Sequence, residues 1–175
     1  MKNYIFLILI LTLAGCSNES SLQKYFVEKT ESADFIAVDI SPDILNADAT
    51  QLSDEQKKAL KTFKKMNILA FKRNETNQEK FKTENAKLKE ILKNEKYQEL
   101  MKFGSGKSGA AVYFTGKEDA IEEFILYGAQ SETGFAVVRV LGDKMNPENF
   151  MVLLSALQKS DINQEHLKPL EGLFK

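Results

Sequence analysis

The sequence contains no Trp, one Cys, one His and three Pro, and its charges almost cancel, with 24 Lys and Arg against 25 Asp and Glu in 175 residues. Each shortage removes a class of function. Zinc sites ordinarily gather three or four Cys, His and carboxylate ligands, whereas this chain offers one imidazole, His166, and one thiol, Cys16. Neither a metal nor a cofactor is expected. His166 lies in a weakly patterned tail beside Glu165, which points elsewhere on a helix or a strand, so a Ser–His–acid device lacks its orienting partner. A net charge of -1 gives no basic excess for neutralising phosphates, so no nucleic-acid partner is expected. The lack of Trp also counts mildly against a glycan platform.

The chain begins with Lys2 and then an apolar run from Tyr4 to Ala14, interrupted only by Thr12 and the Tyr4 hydroxyl. As a helix this run would measure roughly 16 Å, about half the ~30 Å of a bilayer core, which fits the h-region of a signal peptide and not a permanent span. The run ends in Leu13-Ala14-Gly15-Cys16, which resembles the lipobox of bacterial lipoproteins. That resemblance implies cleavage between Gly15 and Cys16, and attachment of a diacylglyceryl group carrying chains such as palmitate to the Cys16 thiol. With its one Cys lipidated, the mature domain has no disulfide and must rely on its apolar core. Several acyl chains anchor stably where one would bind only reversibly. Residues 17–20 reach about 14 Å at most, so the domain is expected close to the lipid surface. Ser17, in place of Asp, corresponds under the enterobacterial sorting rule to an outer-membrane lipoprotein facing the periplasm, with the inner membrane as the alternative.

These signals divide the chain into a signal peptide at 1–15, a lipidated Cys with its tether at 16–20, one domain at 21–160 and a tail at 161–175. Ser21 can cap a helix carrying Leu22, Tyr25 and Phe26. Phe35 to Ile40 is a β-branched strand stopped by Ser41-Pro42. Ser53 and Gln56 form a capping box for a helix to about Lys65, and Asn67 to Phe71 follows as a short strand. Thr76 and Glu79 suggest a second box, opening a helix striped by Phe81, Leu88, Ile91 and Leu92. Four runs, 97–103, 110–115, 121–127 and 135–141, are separated by Gly-bearing turns and predict an antiparallel meander, although Ile121, Phe124 and Ile125 also fit helical spacing. Asn146 and Pro147 start a last helix with Phe150, Leu153, Leu154 and Leu157 on one side. The expected fold is a single α+β domain: a four-strand meander plus two N-terminal strands, packed on three to four helices.

This order of elements, with Phe35-Ile-Ala-Val-Asp39, Tyr97-Gln-Glu-Leu-Met101, Leu141-Gly-Asp143 and Pro147-Glu-Asn-Phe150, resembles the domain-of-unknown-function family 4252, small bacterial lipoproteins of Bacteroidota type. The resemblance spans most of residues 21–157. It implies an envelope setting and a strand at 121–127, and brings no activity, cofactor or catalytic residue with it.

Three further patterns invite chemistry. Gly104-Ser-Gly-Lys-Ser108 is a fragment of a phosphate-binding loop, but Met101 stands where the first Gly is needed, and a strand follows instead of a helix; a hairpin turn explains it better. Glu122 and Glu123 cannot flank one glycosidic bond, because adjacent strand residues face opposite sides. Residues 54–102 hold 14 Lys and Arg against 8 Asp and Glu, which describes a solvated helical surface or, alternatively, a face for anionic lipid headgroups. The expected function is therefore a lipid-anchored envelope protein, binding or scaffolding and not an enzyme, held to the membrane by its lipid and free to engage an envelope protein partner. The alternatives are a small-molecule or lipid carrier, a regulatory partner in an envelope-stress pathway, and an enzyme with an acid pair assembled by the fold.

Overall fold

A computed structural model describes residues 21–41, 52–105, 108–148 and 150–152. Helix α1 spans Leu22–Lys29, where the Ser21 hydroxyl accepts from the Lys24 N–H, and the i, i+3, i+4 spacing of Leu22, Tyr25 and Phe26 buries one side. Strand β1 (Phe35–Ile40) follows. Helix α2 (Asp54–Thr62) opens on the expected capping box, with Ser53 and Gln56 bonded reciprocally. Strand β2 (Phe63–Lys72), helix α3 (Gln78–Leu92) and strands β3 (Gln98–Ser105), β4 (Ser108–Lys117), β5 (Ala120–Gln130) and β6 (Gly134–Met145) complete the set. The chain is helical again at 147–148 and 150–152, with the Phe150 N–H donating to the Asn146 carbonyl. No helix among the described residues is long and apolar enough to cross a membrane.

The strands form one antiparallel sheet in the order β1-β2-β6-β5-β4-β3. Strands β3 to β6 are the expected meander, and β2 joins it on β6 with β1 outermost. Residue 121 onward is strand, since Ile125 pairs with Arg139 and Leu126 with Val138 across β5 and β6. At the β5–β6 turn Gly134 has φ +136°, and a Cβ there would collide with the Phe71 carbonyl, so only glycine fits.

Each sheet face has its own core. On the first, α1 and α3 cover Leu69, Phe71, Ile125, Phe135 and Val137. Phe71 and Phe135 stack with centroids 5.5 Å apart, and Phe35 meets Phe71 edge-on at 5.1 Å; each such pair contributes ~0.5–1.5 kcal/mol beyond its buried area. On the second face, Ala59 of α2 and Phe150 lie over Met66, Phe124 and Val140, with Phe150 stacked on Phe124 at 4.1 Å.

Two boundaries differ from the spacing. Helix α2 stops at Thr62, and β2 begins at Phe63 and not at Asn67, because Phe63 pairs with Gly142 and Lys65 with Leu141 around a bulge that returns Met66 to the core. The Thr76–Glu79 capping box does not form. Thr76 instead donates from both its N–H and its hydroxyl to Asn74 Oδ1. Asn77 Oδ1 accepts from the Asn74 N–H while its amide donates to Asp34 and to the Lys72 carbonyl. These Asx bonds make the turn themselves, and the helix starts one residue beyond Asn77.

Candidate functional site

The first sheet face is unevenly covered. Helix α3 lies over β2, β6 and β5, where Phe81 sits 6.1 Å from both Phe71 and Phe135. Strands β3 and β4 extend past it, and toward their hairpin the residues at the base of this face are small: Gly104 opposite Gly109, and Ala111 on β4, whose partner Lys102 extends to the rim. Small side chains beneath the flank of a helix leave space. The result is a cleft of about 480 Å³ between α3 and β3–β5, within the ~300–1,000 Å³ of ordinary ligand sites.

The helix and its C-cap contribute Asn85, Lys89 and Lys93, one turn apart along the edge of the buried stripe, together with Phe81 and Leu92. The sheet contributes Tyr113, Tyr127, Ala111 and Ala129, with Lys102 and Glu99 on the outer strand and Tyr97 just before it. The Tyr127 hydroxyl donates to Asn85 Oδ1 at 2.5 Å, tying helix to strand. Burial pushes the Tyr127 hydroxyl up to about 12 and raises those of Tyr97 and Tyr113 as well, so the walls remain neutral phenols in the physiological range. The cations are on the rim. The Lys89 ammonium lies 6.0 Å from the centre of the Tyr127 ring, Lys93 pairs with Glu90 at 2.8 Å, and Lys102 reaches Glu99 at 4.0 Å. Both ion pairs are solvent-exposed, a type worth ~0–1 kcal/mol. A second concavity of about 460 Å³ opens on the opposite face at the same end, floored by Ala110, Gly128 and Ala136 and bordered by Phe103.

Toward α1 the same face is closed by a polar network. Arg139 donates from Nε to Glu123 and from an Nη to Gln23 of α1, and its guanidinium lies 5.2 Å from the Phe26 ring centre. Tyr25 donates to one Glu84 oxygen at 3.0 Å, and Lys29 donates to the other at 2.5 Å. The Leu22 N–H donates to the Tyr97 hydroxyl at 3.0 Å, joining α1 to the inner end of the cleft. The buried carboxylates Glu123 and Glu84 are thus each matched to a cation.

The residues singled out from the sequence fall elsewhere. Gly15, Cys16 and His166 lie outside the described residues, as do Leu153, Leu154 and Leu157 and the divisions at 1–15, 16–20 and 161–175. Gly104 and Ser108 belong to the paired strands β3 and β4, where Gly104 has φ +71° and a Cβ would meet the Ser108 carbonyl, while Gly106 and Lys107 lie outside the described residues. Glu122 is exposed, at an irregularity of the register between Ile121 and Glu123, and Glu123 is buried against Arg139. Among the described residues, no group of three His, Cys, Asp or Glu stands close enough to hold a metal ion. The spacing of the sequence did not reveal the cleft. Lys89 and Lys93 gave no signal of it either, because cations in the last turn and at the C-cap are ordinary at a helix end.

Comparison with curated proteins found no match, and comparison with solved structures found none. The family model described as Domain of unknown function (DUF4252) matches residues 25–153, a span that takes in the whole sheet and the cleft. The chain belongs to the DUF4252 family.

Proposed function

We propose that this protein is a lipid-anchored envelope protein that works by binding, with the cleft between α3 and β3–β5 as its binding site. The anchoring half rests on the sequence Leu13-Ala14-Gly15-Cys16: cleavage before Cys16 and lipid on its thiol would hold the domain within a short tether of the outer membrane, facing the periplasm. The binding half rests on one observation, a cleft of about 480 Å³ with a neutral aromatic wall and cations at its rim.

A second reading, engagement of an envelope protein, is favoured by the outer strand β3. It is an edge of the sheet, and it exposes Phe103 by 58% and Met101 by 39%, the kind of edge to which another strand adds.

Two experiments test these readings. Cys16→Ala should leave a precursor of full length without lipid label; a variant that fractionates with membranes at mature size contradicts the anchor. Crosslinked capture of the protein from its native envelope, with lipids and proteins both identified, should yield a small molecule or lipid on cleft peptides. A stoichiometric protein attached through β3 would establish the second reading instead.

A further inference from the structure

Within the reading of the cleft as a binding site, we infer that its ligand is a single-chain anionic amphiphile, with its carboxylate or phosphate between Lys89, Lys93 and Lys102 and its apolar chain along Ala111, Tyr113 and Tyr127. Three features of the cleft lead to this class.

The first is the balance of charge. Three ammonium groups from two different elements line the cleft against one carboxylate, Glu99. Lys89 in the last turn of α3 and Lys93 at its C-cap stand one turn apart, and Lys102 reaches the same side from β3 because its register partner is Ala111 on the cleft floor. An anion between them relieves the i, i+4 repulsion that the helix otherwise bears. The carboxylates already present do not take that place. Glu90 and Glu99 are exposed and hold Lys93 and Lys102 in pairs that solvent screens. Among the described residues, no carboxylate lies within ion-pairing distance of Lys89, whose contact is with the Tyr127 ring.

The second is the floor. Ala111, Tyr113, Tyr127 and Leu92 present carbon, and a small hydrated anion pressed against them would lose water with little in exchange. An alkyl chain on the same surface gains ~25 cal/mol for each Å² removed from water. An apolar body and an anionic end therefore answer the two halves of the lining together.

The third is the state of the hydroxyls. Tyr127 already donates to Asn85, and Tyr97 accepts from Leu22. Two of the three hydroxyls on the wall are thus engaged within the protein, which suits a chain better than a sugar.

The test uses the full chain in nanodiscs of neutral lipid, labelled with photoreactive dodecanoate, dodecyl phosphate or dodecanol, followed by peptide mapping. Half-maximal labelling of the β4–β5 peptides should need roughly tenfold less of an anionic probe than of dodecanol, as expected for one charge-assisted contact. Whichever of the carboxylate and the phosphate labels better identifies the headgroup. The triple variant Lys89→Ala/Lys93→Ala/Lys102→Ala should abolish the preference, bringing the anionic probes to the level of dodecanol on the same variant. Equal labelling by acid and alcohol on the unsubstituted protein, or a preference that survives the triple variant, overturns the anionic class but leaves the cleft as a site. Failure of all three probes to label cleft peptides overturns the inference together with the reading beneath it.

Discussion

One face of one sheet is finished in two ways. Beneath α1 the polar groups are closed off: Arg139, 5% exposed, is shared between Glu123, Gln23 and the Phe26 ring, and Glu84 is divided between Tyr25 and Lys29. Along the free flank of α3 the charges are displayed. Lys89, Lys93 and Lys102 stand at the rim of a cleft whose floor is apolar. The difference lies in what covers the strands. At one end α1 brings Gln23 to Arg139 and Tyr25 and Lys29 to Glu84, while Arg139 itself meets Glu123 across the sheet, so these buried charges are matched as a low-dielectric interior requires. At the other, Gly104, Gly109 and Ala111 provide no bulk and α3 does not extend over them. Charges satisfied internally serve the fold, and charges gathered around an unfilled space are available to something outside it.

The sharpest way to break this comparison is to remove one acid from each end. Glu123→Ala leaves the Arg139 guanidinium buried without its carboxylate and should cost ~3–5 kcal/mol in urea unfolding. Glu99→Ala at the cleft should change stability by no more than ~0.5 kcal/mol. Equal costs would mean that the two ends do not differ in the way described.

Alkali should act on both ends. Burial raises the hydroxyls of Tyr25, Tyr97 and Tyr113 and holds that of Tyr127 at about 12, all above the ordinary 10. Above pH 10 the unfolded chain gives up phenolic protons that the folded chain keeps, so the unfolded state binds fewer protons and stability falls. The share of Tyr127 is complete below pH 10 and is lost as pH rises through about 12. Ultraviolet titration should show these tyrosines ionising together with unfolding, and phenolate appearing near pH 10 in folded protein would contradict their burial.

Smaller changes refine the contrast. Tyr25→Phe removes one of the two partners of Glu84 and should cost ~1 kcal/mol, visible as a lower thermal midpoint. Lys93→Ala relieves the repulsion with Lys89 but removes a cation from the C-cap of α3, two small opposing effects, and should change stability by no more than ~0.5 kcal/mol. A cleft lysine whose loss leaves the fold intact and weakens capture of an anion is there for the ligand.

The features legible in the sequence were those set by local rules. Ser21, Ser53 and Gln56 marked helix starts because their side chains bond within a turn. Phe81, Leu88, Ile91 and Leu92 marked a buried stripe by periodicity alone, and the Gly-bearing turns separated the meander. The features that escaped depend on register. Glu123 and Arg139 meet only because Ile125 pairs with Arg139, which makes the two charges diagonal neighbours across β5 and β6. The cleft needs Lys102 set opposite Ala111, and it needs α3 displaced toward β6; no spacing along the chain encodes either. Thr76 and Glu79 had the pattern of a capping box, and the Asx bonds of Asn74 and Asn77 took their place.

The most direct test of an open binding end beside a closed structural one is to follow backbone amide shifts of the full chain in neutral nanodiscs as dodecanoate is added. The account predicts saturable shifts at Lys89, Lys93, Lys102, Ala111 and Tyr127, with Glu123, Arg139 and α1 unmoved. Shifts centred instead on Ala136 and Val138 of the opposite face, or on α1, would contradict it.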